Sequence, residues 1–139
     1  MAETIESVMT ADPVCLEADA PLVDAAKAMD ERDIGDVLVM QGGELCGIVT
    51  DRDIAIRAVA RGGDPRTMRL GDICSRELVT LRPDDGIEDA IARMREHCVR
   101  RMPVVDGGRP VGIVSLGDLA EARDRESVLG EISAAPANN

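Results

Sequence analysis

The segment GIVTDRDI at residues 47–54 returns as GIVSLGDL at 112–119, and the offset of 65 holds without a gap from Val8 through Leu119. An ungapped internal repeat of this length constrains the fold more than any compositional property. Shifted by that offset, Val14 falls on Val79, Leu16 on Leu81, Ala25 on Ala90, Met29 on Met94, Val39 on Val104, and Gly42-Gly43 on Gly107-Gly108. One structural unit is written twice. Each copy, at roughly 55 residues, is near the size where a lone core is marginal, so the copies are expected to bury an apolar face against one another. The expectation is one pseudo-twofold globule with a cleft between its halves.

Periodicity gives the elements of each copy. Val14-Cys15-Leu16 reads as a short extended segment, and Asp19 with Pro21 gives an N-cap and first-turn signal. Leu22, Ala25, Ala26 and Met29 then fall at helical spacing, as do Ile87, Ala90, Ile91 and Met94, which predicts an amphipathic helix with a core stripe in each copy. Val37–Met40 and Leu45–Val49 flank Gln41-Gly42-Gly43-Glu44, and Met102–Val105 and Val111–Val114 flank Gly107-Gly108. Both read as hairpins whose glycines supply positive φ. Second helices are expected from Arg52 to Ala60 and from Gly117 to Arg125, with Leu70–Cys74 a brief helical turn matching Ile5–Met9. The boundaries are thus a first motif over 7–60, a linker over 61–69 containing Gly62-Gly63-Asp64-Pro65, a second motif over 70–126, and a tail over 127–139 frayed from Ser133 onward. The fold class is α+β, with β-α-β-β-α in each motif and the two motifs packed sheet to sheet.

Composition then excludes partners. A net charge of −11 argues against nucleic acid and anionic membrane surfaces, both of which need a basic face. The absence of Phe, Tyr and Trp removes the aromatic platforms on which single-stranded bases stack, so a bound purine would lie between aliphatic side chains. The acidic N-terminus is unlike a signal peptide, and no apolar run reaches membrane-spanning length, so a cytoplasmic location is expected. Cys15, Cys46, Cys74 and Cys98 form no Cys-x-x-Cys pair, and their repeat partners are Thr80, Val111, Met9 and Asp33. They read as small buried thiols with no metal site. His97 beside Cys98 makes a poor chelate, because adjacent helical residues point about 100° apart. One histidine and no nucleophile–base pattern make catalysis the weakest reading.

The chemistry concentrates at the corner between the last strand and second helix of each copy, where Gly47, Thr50 and Asp53 match Gly112, Ser115 and Asp118. A hydroxyl at a helix N-terminus can accompany an anion, and an Asp three residues later can close a capping box by reaching back to the cap's own N–H. The same carboxylate could instead accept hydrogen bonds from a ribose diol. Gly47-Ile-Val-Thr50-Asp-Arg-Asp53, Val99-Arg-Arg-Met-Pro-Val-Val-Asp106-Gly-Gly and Gly112-Ile-Val-Ser115-Leu-Gly-Asp118 together resemble a tandem pair of cystathionine-β-synthase-type (CBS) motifs, a Bateman module, over Ser7–Arg125.

That resemblance implies a module that dimerises into a disc and binds adenosine ligands such as AMP, ADP or ATP in its clefts. Carried over by position, Asp53 and Asp118 would hold ribose, and Thr50 and Ser115 would approach phosphate. Val14, Cys15, Leu16, Ile34 and Val37 would line one adenine slot, and Val79, Thr80, Leu81, Val99 and Met102 the other. Arg100 and Arg101 stand where the family commonly places a phosphate-contacting base, whereas the aligned pair in the first copy is Gly35-Asp36; Arg52, matching Gly117, would partly restore positive charge there. The second site is therefore favoured. The leading expectation is a stand-alone regulatory module with no obligatory cofactor, an adenine nucleotide as regulatory ligand, a homodimeric state and a client protein. The alternative is a dimeric interaction module whose ligand clefts are vestigial.

Overall fold

The computed structural model describes residues 3–125; the expected fraying at 133–139 and the tail over 127–139 lie outside them. The elements run α1 (Ile5–Val8), β1 (Thr10–Ala11), β2 (Cys15–Glu17), α2 (Leu22–Arg32), β3 (Asp36–Gln41), β4 (Glu44–Thr50), α3 (Asp51–Asp53, continuing into a wider helical stretch Ile54–Val59), α4 (Leu70–Ile73), α5 (Ile87–His97), β5 (Arg101–Asp106), β6 (Arg109–Ser115) and α6 (Leu116–Arg125). The fold is α+β, as expected. Two compact units result among the described residues, one formed by 13–78 and the other by 3–12 together with 79–125. They are called here the Asp53 unit and the Asp118 unit.

In the Asp53 unit the sheet order is β2-β3-β4, with β2 parallel and β4 antiparallel to β3. The Asp118 unit has the order β1-β6-β5, with both pairings antiparallel. Each sheet is extended by an isolated bridge at the position its repeat partner fills with a strand, Ser75 on Ile48 in the former and Leu81 beside Val104 in the latter. Gly42 and Gly43 take φ of +62° and +82°, and Gly107 and Gly108 take +58° and +80°, the double positive pair that a two-residue hairpin needs to follow strand twist. A bulge in each hairpin leaves Cys46 and Val111 as the extra residues, since Val39 pairs Gly47 and Met40 pairs Leu45, and the second repeat does the same.

The chain's first segment does not stay with the first motif. Ile5 on α1 is fully buried among Leu81, Met94, Met102 and Leu119, and β1 pairs with β6. Leu70 and Ile73 on α4 are buried in the other core with Leu22, Val37 and Val49. Equivalent backbone bonds hold the two leading segments: Ile5 N–H to Asp85 O and Glu6 N–H to Pro83 O at 2.9 Å, against Leu70 N–H to Ala20 O at 2.9 Å and Gly71 N–H to Ala18 O at 2.8 Å. Each leading segment thus completes the unit opposite to the one its place in the sequence suggests. This close approach explains the motif glycines. A Cβ on Gly47 would lie 2.6 Å from Cys74 Sγ, and one on Gly112 would collide with the Met9 side chain.

Three sequence expectations change in detail. Pro21 is the N-cap of α2 rather than its first residue, and Asp19 does not cap it; the first two amides, of Leu22 and Val23, instead donate to Met68 O and Pro65 O at 2.9 Å, so linker carbonyls take over the cap. The core stripes are three positions wide, because Ala26 is exposed and Ile91 only half-buried. The helix expected over 52–60 widens after Asp53, with Ala60 N–H donating to Ala55 O five residues back.

Candidate functional site

Each candidate site is a strand-to-helix corner fixed by backbone hydrogen bonds. At the start of α6, Leu116 N–H donates to Arg100 O at 2.8 Å; at the start of α3, Asp51 N–H donates to Gly35 O at 3.0 Å. Those bonds carry the residues entering β5 and β3 to the two helix N-termini. Strand register completes the placement by setting Arg101 directly opposite Ser115 and Asp36 directly opposite Thr50. A basic side chain therefore flanks one hydroxyl and an acidic one flanks the other.

Both hydroxyl–Asp pairs close capping boxes. Ser115 N–H donates to Asp118 Oδ2 at 2.9 Å while Asp118 N–H donates to Ser115 Oγ at 3.1 Å, and Thr50 with Asp53 repeats the same two distances. The corners differ in what is left over. Asp53 Oδ1 faces Arg57 Nε at 3.7 Å, and Arg57 in turn donates to Ile73 O at 2.7 Å and Ser75 Oγ at 3.2 Å. Ala122 occupies the place of Arg57 in the other unit and is buried. Asp118 Oδ1 consequently has no partner among the described residues.

The free amides differ too. Asp51 turns its carboxylate onto Arg52 N–H at 2.8 Å, which fills the first turn of α3 and adds a negative charge beside Thr50. Leu116 stands in place of Asp51, and Gly117 N–H is left without an acceptor among the described residues. Asp51 was missed as a determinant by sequence reasoning; its alignment with Leu116 was the signal. Arg52 is exposed on α3, so it stands beside this corner but does not open it.

The expected adenine walls divide by burial. Leu81, Met102 and Val37 are at most 1% exposed and pack in the cores of their units. Val79, Thr80 and Val99 retain exposed surface in the Asp118 unit, as do Val14, Cys15, Leu16 and Ile34 in the Asp53 unit. Ile34 and Val99 follow Asp33 and Cys98, which end α2 and α5 with left-handed φ of +54°. Arg100 is exposed, and with Val99, Leu116, Leu119, Ile91 and Met94 it lines an apolar groove of about 590 Å³ between α5 and α6. Against the expectation of four buried thiols, Cys15 and Cys98 are exposed and Cys46 and Cys74 only half-buried; desolvation of the covered part of Cys15 still pushes its thiol above the usual range. No group of three or more His, Cys, Asp and Glu able to hold a metal occurs among the described residues.

Comparison with known proteins agrees with this architecture. The CBS domain family model matches residues 5–59 and again 70–125. The chain belongs to the CBS domain family. As a tandem CBS pair it is 38% identical over 117 residues to the CBS domain-containing protein YhcV of Bacillus subtilis, covering 84% of this chain and 83% of that protein. It is 33% identical over 132 residues to hypoxic response protein 1 of Mycobacterium tuberculosis, covering 94% and 92%. A crystal structure of hypoxic response protein I with two coordinated zinc ions superposes with a TM-score of 0.74 over 85% of this chain and 97% of that one, at 35% identity. The CBS domain pair of protein MJ0100, solved with 5′-methylthioadenosine and S-adenosyl-L-methionine, shares the fold at a TM-score of 0.79 and 23% identity, over 91% and 100% of the two chains.

Proposed function

We propose that this CBS pair is a regulatory module that binds an adenosine nucleotide of the AMP, ADP or ATP class at the Asp118 corner and relays occupancy as a change in packing. The carrying observation is the asymmetry of the two corners. At Asp118 a carboxylate oxygen and the Gly117 amide stay unfilled among the described residues, and Arg101 flanks Ser115; at Asp53 the matching groups are taken by Arg57 and Asp51, and Asp36 flanks Thr50. In this reading Asp118 accepts from ribose hydroxyls. Ser115, Gly117 N–H, Arg100 and Arg101 meet phosphate, and Val79, Thr80 and Val99 take the base. The adenosine ligands of the MJ0100 pair support the ligand class. Occupancy is transmitted only to the extent that the ligand prefers one packing arrangement over another.

The exposed apolar side chains Ile56, Val59 and Leu116, with the groove between α5 and α6, fit a homodimer, and a client protein would read the dimer's state in the cytoplasm. The chain lacks Trp and Tyr, so carried nucleotide is visible directly. A native preparation should absorb near 260 nm and release a small adenosine compound on denaturation. A clean spectrum, with melting unmoved by millimolar AMP, ATP or S-adenosylmethionine, would favour the interaction-module alternative.

A further inference from the structure

Two of the four cysteines, 28 positions apart, meet in the Asp53 unit. Cys74 ends α4 and lays its sulfur over the Cα of Gly47, the neighbour of Cys46 in β4. A regular strand would turn Cys46 to the opposite face. The bulge at Cys46 re-aims it instead, and both residues pack on the core of Leu22, Val39, Leu70 and Ile73. The neighbouring Cys46 thiol adds to the forces that hold the Cys74 thiol in its neutral form. The repeat has the same arrangement: Val111, the residue at the second bulge, and Met9, which covers Gly112, both pack on the core of their own unit. An apolar contact in one unit is thus a dithiol in the other.

We propose that Cys46 and Cys74 are a reversible disulfide site that, when oxidised by peroxide, fastens the α4 segment to β4. A thiolate attacks one peroxide oxygen, the O–O bond breaks, and a sulfenic acid and one water result. The second thiol attacks that sulfur, the S–O bond breaks, and a second water leaves. Two thiols lose two electrons and two protons, and one peroxide becomes two waters. Both thiols are only partly exposed and burial holds the Cys74 thiol up, so oxidation is slow and records sustained rather than transient exposure. Cross-linking would fix the strand that delivers Thr50 to the α3 corner, together with the segment gripped by Arg57.

The test uses the full chain carrying Cys15→Ser and Cys98→Ser, which removes the exposed thiols. After hydrogen peroxide, a non-reducing tryptic digest should show peptide 33–52 joined to peptide 70–76, with two free thiols falling to none at unchanged oligomeric mass. Melting should rise by several degrees, and dithiothreitol should reverse every change. Cys46→Val and Cys74→Met copy the side chains of the other unit and should keep the fold while abolishing the cross-link. Two thiols still titratable after treatment that fully oxidises an exposed cysteine, or sulfinic acid at either residue in place of the joined peptides, would overturn the proposal.

Discussion

Alanine at Asp53 and at Asp118 should dissociate stability from binding. Asp118→Ala removes the acceptor for Ser115 N–H, a 2.9 Å bond closing one capping box, at a cost of about 1 kcal/mol. Asp53→Ala removes the same 2.9 Å bond to Thr50 N–H and also the Arg57 ion pair at 3.7 Å, whose partly exposed side chains add about 0–1 kcal/mol. For a domain of this length each kcal/mol is worth roughly 3–5 °C of melting temperature. Calorimetric scans should therefore show a loss of about 3–5 °C for Asp118→Ala and up to roughly 10 °C for Asp53→Ala. The order of nucleotide affinity should be the reverse. A larger stability loss at Asp118 would refute the assignment of Arg57 as the partner that occupies Asp53.

Gly47→Ala and Gly112→Ala should each lower stability by about 1–3 kcal/mol in urea titrations, because the added methyl meets the exchanged segment. Gly117→Ala, whose Cβ would meet nothing nearer than Ser115 Oγ at 3.7 Å, should be neutral or stabilising. Asp51→Leu with Asp36→Arg and Arg57→Ala copies the other corner's first turn, flanking charge and unfilled carboxylate, and should add a second nucleotide-binding event in titration calorimetry. Burial raises the Cys74 thiol above its ordinary value of 9.0, so the stability of the neutral thiol is fully present below that value and is lost as pH rises through the folded pKa. Denaturation midpoints should decline in alkali, and less so in Cys74→Met.

The repeat made most of this fold legible. Hairpins, helices and the motif corners follow from Gly-Gly pairs, apolar spacing and the 65-residue offset, all local or periodic signals. The exchange of leading segments was not legible, because Ile5 and Leu70 carry the same pattern and nothing in either says which core it enters. The burial of Met102 and Val37 follows from the apolar runs that hold them, whereas their assignment and that of Leu81 to a ligand slot rested on resemblance alone. Arg57 and Asp51 escaped notice because a capping motif announces its own two residues and not the neighbours that fill its remaining valences. The cysteine pair was hidden by a bulge, which shifts side-chain facing without any sequence mark of its own.

Whether the Asp118 corner alone binds nucleotide is decided by titrating ATP into ligand-free wild type, Asp118→Glu and Asp53→Glu. Glutamate preserves a capping carboxylate at both corners while displacing it by about one bond length, so stability is held and geometry is changed. One site per chain is expected, weakened about tenfold or more by Asp118→Glu through misplaced charged hydrogen bonds and unmoved by Asp53→Glu. Two equivalent sites, no binding, or equal effects of the two substitutions would contradict it.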